Sequence, residues 1–315
     1  MSEQKLFQVF QNKLEFDPAD YLVSSEEHEL TDFQKKVIVN ATAIMKDNII
    51  GEIKSFGGNL KVNEEKFKEL ENRANGHGNS YFVAQHAVAL LLTLMNKTIP
   101  HHEWMCEGKW RTGDNDAISI PLRFKRVGFL GYGAINQKIH RFLSGFDIEF
   151  SILRKHWKKQ TSPLPTKANK YEFSQLHEFL KDIEILIIGV PLTSVTRKLI
   201  KKKELELLGK EGLVINIARG DIIDEESLYI SLKYKIITGA AIDVWYDYTP
   251  KSDEKGKKFP FHFPFHSLDN IVLSPHRGYS PFNDLLRWDE VIENIKRMAQ
   301  GRNDFLNVVN LDEEY

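Results

Sequence analysis

Cysteine is almost absent from this 315-residue chain, which contains only Cys106. No disulfide can form within the chain, and no zinc site can be built from several thiolates. Such sparing use of cysteine is typical of proteins kept in a reducing compartment. We therefore expect a cytoplasmic protein and predict no metal centre.

Long apolar runs and an excess of one charge sign are also missing. The longest apolar stretch, around residues 87–95, is far too short to span a bilayer. The first five residues are not followed by the apolar segment of a signal peptide. Lysine and arginine number 43 against 44 aspartate and glutamate, which leaves a net charge of -1. The balance gives no reason to expect a nucleic-acid or membrane partner, so small molecules are the expected ligands.

The length predicts about two domains, at roughly 150 residues for each. Short apolar strands alternate with helical segments over residues 81–284, which predicts parallel βαβ units and a doubly wound α/β sheet. Residues 1–80 plus 285–315 are assigned to a second, smaller domain. The predicted strands of the larger domain cover residues 126–130, 148–153, 183–190, 213–217, 239–244 and 271–273.

Two of these strands lead into charged residues, Arg219 and His276. Ligands of open α/β sheets gather outside the carboxyl ends of the strands, so both side chains are expected at a binding cleft. The planar cation of Arg219 matches a carboxylate, although a single arginine of this kind is more often an ordinary surface residue. The imidazole of His276 can exchange a proton near neutral pH.

A glycine-rich loop lies between the first predicted strand and its helix, which is the context that a dinucleotide fingerprint requires. Gly131 permits a tight turn, and Gly133 lets backbone N–H groups approach a pyrophosphate. The alternative is an ordinary strand–helix turn. Asn136 replaces the third glycine, which predicts that helix and strand pack slightly further apart. The predicted cofactor contacts in this loop are Gly131, Tyr132, Gly133, Ala134 and Ile135.

The residue at the end of the second strand bears on the choice of cofactor. An acidic residue there would bond the ribose of NAD, but this chain has Arg154 followed by Lys155. Cations at this place suit the 2'-phosphate of NADP, so NADP(H) is favoured over NAD(H). A solvated basic loop is the alternative.

Asp243 ends another predicted strand. Its carboxylate could bond the carboxamide of a nicotinamide. A turn cap is an equally good interpretation of the local sequence.

The motifs are colinear with those of a known family. The chain resembles the D-isomer-specific 2-hydroxyacid dehydrogenases, which include phosphoglycerate, glycerate, D-lactate and formate dehydrogenases, over roughly residues 52 to 315. The motifs that carry the resemblance are residues 83–86, 131–133, 190–193, 196–197, 216–220, 239–244 and 274–276.

The resemblance implies two Rossmann-like domains, the second of them smaller and flavodoxin-like, and a homodimer formed through residues 80–121. It implies that Arg219 orients the substrate carboxylate and carbonyl, and that His276 exchanges a proton with the substrate oxygen. It implies further substrate contacts from a loop with Phe56, Gly57 and Gly58. The further cofactor contacts that it implies are Val190, Pro191, Thr196, Ala218, Asp243 and Gly278.

The chain departs from the family at one catalytic position. The family has a glutamate five residues after the carboxamide aspartate, where it pairs with the histidine, and this chain has Tyr248 there. Either Asp247 turns inward to supply the carboxylate, or Tyr248 offers only a hydroxyl. A histidine without a carboxylate partner is expected to be a weaker proton donor.

The resemblance and the motifs together predict an oxidoreductase. It would transfer hydride between a nicotinamide cofactor, with NADP(H) favoured over NAD(H), and a small 2-oxo/2-hydroxy acid. The alternative is a catalytically weakened or inactive nucleotide-sensing binding protein on the same fold.

Overall fold

The computed structural model describes residues 78–111, 117–159, 163–279 and 304–308. Nearly all of these residues belong to one compact unit, Ser80–Ser280. The loop with Phe56, Gly57 and Gly58 lies outside the described residues. So does nearly all of the second domain assigned to residues 1–80 plus 285–315, and both assignments stay predictions.

Seven parallel strands form a single sheet. They are β1 (Arg126–Leu130), β2 (Glu149–Leu153), β3 (Ala168–Tyr171), β4 (Ile185–Ile188), β5 (Leu213–Asn216), β6 (Gly239–Ile242) and β7 (Ile271–Leu273). Their order across the sheet is β3-β2-β1-β4-β5-β6-β7. The chain enters the sheet at β1, continues outward through β2 and β3, and then crosses to the other side of β1, where β4 to β7 follow in sequence. This is the doubly wound arrangement. The predicted α/β class with a doubly wound parallel sheet is confirmed.

Six α-helices lie within the described residues, together with four short 3-10 turns. The helix α1 (Ser80–Met95) is apolar and packs against α3 (Ala134–Leu143), whereas α2 (Thr98–Cys106) has no buried residue. The α-helices are α1 (Ser80–Met95), α2 (Thr98–Cys106), α3 (Ala134–Leu143), α4 (Leu176–Lys181), α5 (Lys202–Leu208) and α6 (Glu225–Lys233).

No single helix of the described residues is long and apolar enough to cross a membrane. The helices α1 and α2 meet the length and hydropathy requirement only as a pair, and they are bent by 64° at their junction.

The core lies on both faces of the sheet. Successive residues of a strand point to opposite faces, so Leu213 and Ile215 of β5 pack on the side of α1 and α3, while Val214 packs on the other. All four residues of β5 are buried, as are those of β4. Burial on both faces explains why these strands are continuous Val/Ile/Leu runs in the sequence.

The edge strand β3 was not predicted from the sequence. Its four residues have no buried member, and two of them are exposed. An edge strand needs one apolar face at most, so it leaves no continuous apolar run in the sequence.

Candidate active site

The register of the sheet aligns the ends of all seven strands. Each strand's last residue pairs with its neighbours' last residues, from Tyr171 of β3 to Leu273 of β7. The segments that follow therefore leave the sheet at one edge. Adjacent strands lie about 4.8 Å apart, so the ends of β5 and β7 are separated by roughly 10 Å. This edge carries Arg154, Gly131, Arg219, Asp243 and His276.

The glycine loop after β1 has the backbone that a dinucleotide loop requires. Gly131 has a φ of +82°, and a Cβ placed there would lie 2.6 Å from Cγ1 of Val190 and 2.9 Å from the carbonyl oxygen of Gly189. Gly133 precedes α3 without a side-chain cap, and the first turn of α3, with Ala134 and Ile135, has no acidic residue. Uncapped N–H groups at a helix N-terminus fit a pyrophosphate.

Asn136 is accommodated in a way that the sequence did not reveal. It is buried, and its Nδ2 donates to the carbonyl oxygen of Gly131 at 2.7 Å. A Cβ on Gly189, just after β4, would lie 2.5 Å from the same Nδ2. The glycine missing from α3 is thus compensated by one at the end of the neighbouring strand.

The side chain of Tyr132 points into the core, which leaves only its backbone for the predicted cofactor contact. Its hydroxyl lies 2.7 Å from Nδ1 of His140, and Nε2 of His140 lies 2.8 Å from Oγ1 of Thr166. Burial raises the pKa of Tyr132 to about 12, although the nearby Arg154 charge opposes the rise. Burial also lowers the pKa of His140 to about 4. Both groups are therefore neutral at pH 7 and form a hydrogen-bonded chain below the loop.

Cations follow β2 at the carboxyl edge of the sheet. The guanidinium carbon of Arg154 lies 5.6 Å from the centroid of the Trp157 ring, and Lys155 is exposed. Glu172, which follows the adjacent β3, is used as an N-cap for the next turn. The end of β2 therefore presents positive charge where the NAD pattern has an acid.

One predicted cofactor contact in the loop after β4, Thr196, forms its hydrogen bonds within the loop. Thr196 is buried, its Oγ1 donates to the carbonyl oxygen of Pro191 at 2.6 Å, and it accepts from the backbone N–H of Thr193 at 2.8 Å. This hydroxyl closes the loop. Val190 and Pro191 are half-buried at its start.

Asn216, the last residue of β5, shapes the turn that carries Arg219. Its Oδ1 accepts from the N–H of Ala218 at 3.1 Å, and its Nδ2 donates to the carbonyl oxygen of Arg219 at 2.9 Å. Asn216 was not predicted as a site residue, although a buried amide at the end of an apolar strand was the available signal. Arg219 is exposed, with Nη1 donating to the carbonyl oxygen of Ala218 at 2.7 Å.

Asp243 is buried at the end of β6 and accepts four hydrogen bonds or close polar contacts. Its Oδ1 accepts from Oγ of Ser274 at 2.5 Å and from the N–H of Arg277 at 2.8 Å, and its Oδ2 accepts from the N–H of Gly278 at 2.9 Å. Nε2 of His86 lies 3.3 Å from Oδ1. The carboxylate therefore caps the turn that contains His276, as the alternative interpretation of the sequence proposed, and its carboxamide contact stays a prediction.

The protonation of Asp243 follows from these contacts. Burial alone would raise its pKa, but the hydrogen bonds from His86, Ser274, Arg277 and Gly278 outweigh burial and lower the pKa to about 2. Asp243 is therefore ionised at neutral pH.

His276 is held by backbone and by aromatic rings. It has a φ of +58°, and its Nδ1 lies 3.2 Å from the carbonyl oxygen of Asp243. A carbonyl can only accept, so Nδ1 carries the hydrogen of this bond and Nε2 is left to exchange a proton. The rings of Tyr248 and Tyr279 have centroids 5.2 Å and 5.3 Å from the imidazole centroid.

The two alternatives for the missing glutamate have different surroundings in the structure. Oδ1 of Asp247 accepts from the N–H of Thr249 at 2.8 Å, which engages its carboxylate within its own loop. Tyr248 lies edge-on to His276, and its hydroxyl lies 3.4 Å from the backbone N of Trp245. Among the described residues, no carboxylate forms an ion pair with His276.

The fold and the glycine loop define a dinucleotide-binding α/β domain. Residues 88–278 match the family model described as D-isomer specific 2-hydroxyacid dehydrogenase, NAD binding domain. The chain belongs to the D-isomer specific 2-hydroxyacid dehydrogenase family, as its motifs indicated.

Several reductases are similar to this chain. A glyoxylate reductase of Pyrococcus furiosus is 31% identical over 204 residues, covering 63% of this chain and 56% of the relative. A glyoxylate/hydroxypyruvate reductase of Arabidopsis thaliana is 29% identical over 201 residues, covering 64% and 57%. The chain thus spans just over half the length of these curated relatives. The crystal structure of an NADPH-dependent glyoxylate/hydroxypyruvate reductase from Sinorhizobium meliloti is 26% identical with a TM-score of 0.59, covering 75% of this chain and 70% of that one.

Proposed function

We propose that this chain transfers hydride between a nicotinamide cofactor, NADP(H) in preference to NAD(H), and a small 2-oxo/2-hydroxy acid. The observation that carries the proposal is the alignment of Arg219, Asp243 and His276 after the ends of three adjacent strands. Glyoxylate, hydroxypyruvate and pyruvate are the first substrates to test, since the relatives are reductases of glyoxylate and hydroxypyruvate.

Each residue of the candidate site has its own role in the proposed reaction. Gly131, Gly133 and the N-terminus of α3 would hold the pyrophosphate of the cofactor, which supplies the hydride when it is bound. Arg219 binds the substrate carboxylate and stabilises the negative charge that develops on the carbonyl oxygen. His276 delivers a proton from Nε2 to that oxygen, and its Nδ1–H bond to the Asp243 carbonyl oxygen holds the ring in orientation.

The direct test is turnover of the full chain. We expect NADPH to be oxidised in the presence of at least one of the three 2-oxo acids, as measured by the loss of NADPH absorbance. Binding of NADPH should be measured separately by fluorescence. Tight NADPH binding with no turnover of any of the three acids would contradict the reductase proposal.

One observation favours a second candidate function, a nucleotide-sensing binding protein. Tyr248 lies beside His276 in the place of the family's glutamate, and Asp247 is engaged by Thr249. A site without that carboxylate holds the proton-donating form of the histidine less well. Tight cofactor binding with no turnover is the result that this alternative expects.

Restoring the carboxylate tests whether position 248 controls proton donation. We expect Tyr248→Glu to move the falling limb of the pH–rate profile for glyoxylate reduction to higher pH, because the carboxylate stabilises the protonated imidazole. Tyr248→Phe is the matched control and should leave the limb in place. An unchanged profile in Tyr248→Glu would show that position 248 does not control proton donation.

Cofactor preference tests the cations after β2. We expect Arg154→Asp to lower the ratio of kcat/KM for NADPH to that for NADH by about 10- to 100-fold, because a charge-assisted bond to the 2'-phosphate is lost. The same charge reversal at Arg123, an exposed residue before the amino end of β1, is the control. An unchanged ratio in Arg154→Asp would end the argument for NADP(H).

We also propose that the chain forms a homodimer through residues 80–121. The proposal is supported by exposed apolar side chains on and after α2, where Met105 is 55% and Trp110 is 72% exposed. Exposed apolar side chains that form a contiguous patch mark interaction surfaces, and a patch formed by these side chains is what the proposed dimer would cover.

A further inference from the structure

His86 lies on α1, far in sequence from the residues it contacts. Its Nε2 is 2.9 Å from Oγ of Ser274 and 3.3 Å from Oδ1 of Asp243. A Cβ added to Gly278 would lie 3.3 Å from Cδ2 of His86. The imidazole therefore packs directly against the segment 274–278, which contains the candidate proton donor His276.

Counting hydrogens fixes the direction of these bonds. Ser274 has one hydroxyl hydrogen, and the ionised Asp243, which can only accept, takes it at 2.5 Å. The hydrogen between His86 and Oγ of Ser274 must then come from the imidazole. His86 consequently carries a hydrogen on Nε2 and donates it toward Ser274 and Asp243 together.

Asp243 connects His86 to the turn that contains His276. Its carboxylate accepts the N–H groups of Arg277 and Gly278, the two residues that follow His276, and its backbone carbonyl faces Nδ1 of His276. The φ of +58° at His276 is a left-handed conformation that costs free energy outside glycine. Such a conformation persists only where the surrounding bonds hold it.

We propose that His86 is a positioning residue for proton transfer, which orients Asp243 and Ser274 so that the turn 274–278 holds His276 in its left-handed conformation. The proposal rests on the proposed function, because it assigns His276 to proton transfer. The hydrogen bonds that it invokes lie within this chain, so the proposal also predicts an effect that can be measured without substrate turnover.

The kinetic test compares two replacements of His86. His86→Leu removes the donor and is expected to lower kcat for glyoxylate by about 10- to 100-fold, since small displacements of a catalytic group have effects of this size. KM for glyoxylate should change by about threefold at most, because Arg219 lies on another turn. His86→Gln has an amide N–H that can replace Nε2–H, and it should recover most of the lost kcat.

The control removes a comparable contact elsewhere. Nε2 of His177 lies 2.9 Å from Oε1 of Glu204, between α4 and α5. His177→Leu therefore also deletes a histidine–carboxylate contact, and we expect kcat within about twofold of the wild type. Equal losses of kcat in His86→Leu and His86→Gln, or none in His86→Leu, would overturn the positioning role.

Amide hydrogen exchange gives the second readout, on the full chain without substrate. The N–H groups of Arg277 and Gly278 should exchange faster in His86→Leu, at the wild-type rate in His177→Leu, and near it in His86→Gln. If His86→Leu unfolds, Ser274→Ala removes the same bridge and should raise exchange at the same two groups. Unchanged exchange there in the folded variant tested would overturn the proposal, whereas a wild type without turnover would overturn only the proposed function.

Discussion

Replacement of His276 by glutamine is expected to lower kcat for glyoxylate reduction by about 10²- to 10⁴-fold, the range that positioned acid–base groups contribute. Glutamine keeps polarity and approximate size but cannot deliver a proton to the carbonyl oxygen. The loss should appear in kcat, measured at saturating NADPH and glyoxylate. The glycine loop and the cations after β2 are untouched, so the dissociation constant for NADPH should stay within about threefold.

The control for this variant is His177→Gln, which changes a histidine on α4 that pairs with Glu204. Its kcat should stay within about twofold of the wild type. A His276→Gln enzyme with more than a tenth of the wild-type kcat would remove His276 from the proton transfer. Tyr279, whose ring also lies beside the imidazole, would then be the next hydroxyl to test.

The positions of the site could be predicted from the sequence, because they follow from the sheet. Parallel strands buried on both faces leave continuous apolar runs, and the residues after those runs meet at one edge. This argument places Arg219 and His276 there, and Asp243 ends a predicted strand of the same sheet. The edge strand β3 leaves no such run, and so it escaped prediction.

The bonds within the site could not be predicted in the same way. His86 and Ser274 are separated by 188 positions, and nothing local in either segment specifies their contact. Tyr132 and Thr196 stand at cofactor-loop positions, yet their hydroxyls bond His140 and the Pro191 carbonyl oxygen. Buried hydroxyls need hydrogen-bond partners, and which partner each one takes depends on the packing of the whole domain.

The turn at Arg219 is predictable from the sequence in its position but not in its hydrogen bonds and packing. The apolar run of β5 predicts where the arginine lies, while the side chain of Asn216 and the close packing of Gly220 against the Trp245 backbone set how it is presented. A Cβ on Gly220 would collide with the carbonyl oxygen of Trp245. The turn that carries Arg219 is therefore fixed against the segment that leads to Tyr248.

Arg219→Lys is expected to lower kcat/KM for glyoxylate by about 10²- to 10³-fold, although it preserves the positive charge. The guanidinium offers two parallel N–H groups to a carboxylate, whereas an ammonium is a point charge that cannot bond in the same plane. It also loses a donor aimed at the developing oxyanion, and losses of one such donor have this magnitude. The dissociation constant for NADPH should stay within about threefold.

The matched control is Arg123→Lys. Arg123 is an exposed arginine that pairs with Asp147 before the amino end of β1, and its replacement should leave kcat/KM within about twofold of the wild type. Arg219→Ala should be at least as impaired as Arg219→Lys. Added guanidinium ion should restore part of the activity of Arg219→Ala and should leave the activity of Arg123→Ala unchanged. Wild-type kcat/KM in Arg219→Lys would mean that charge alone suffices. Wild-type kcat/KM in Arg219→Ala would place the carboxylate clamp elsewhere.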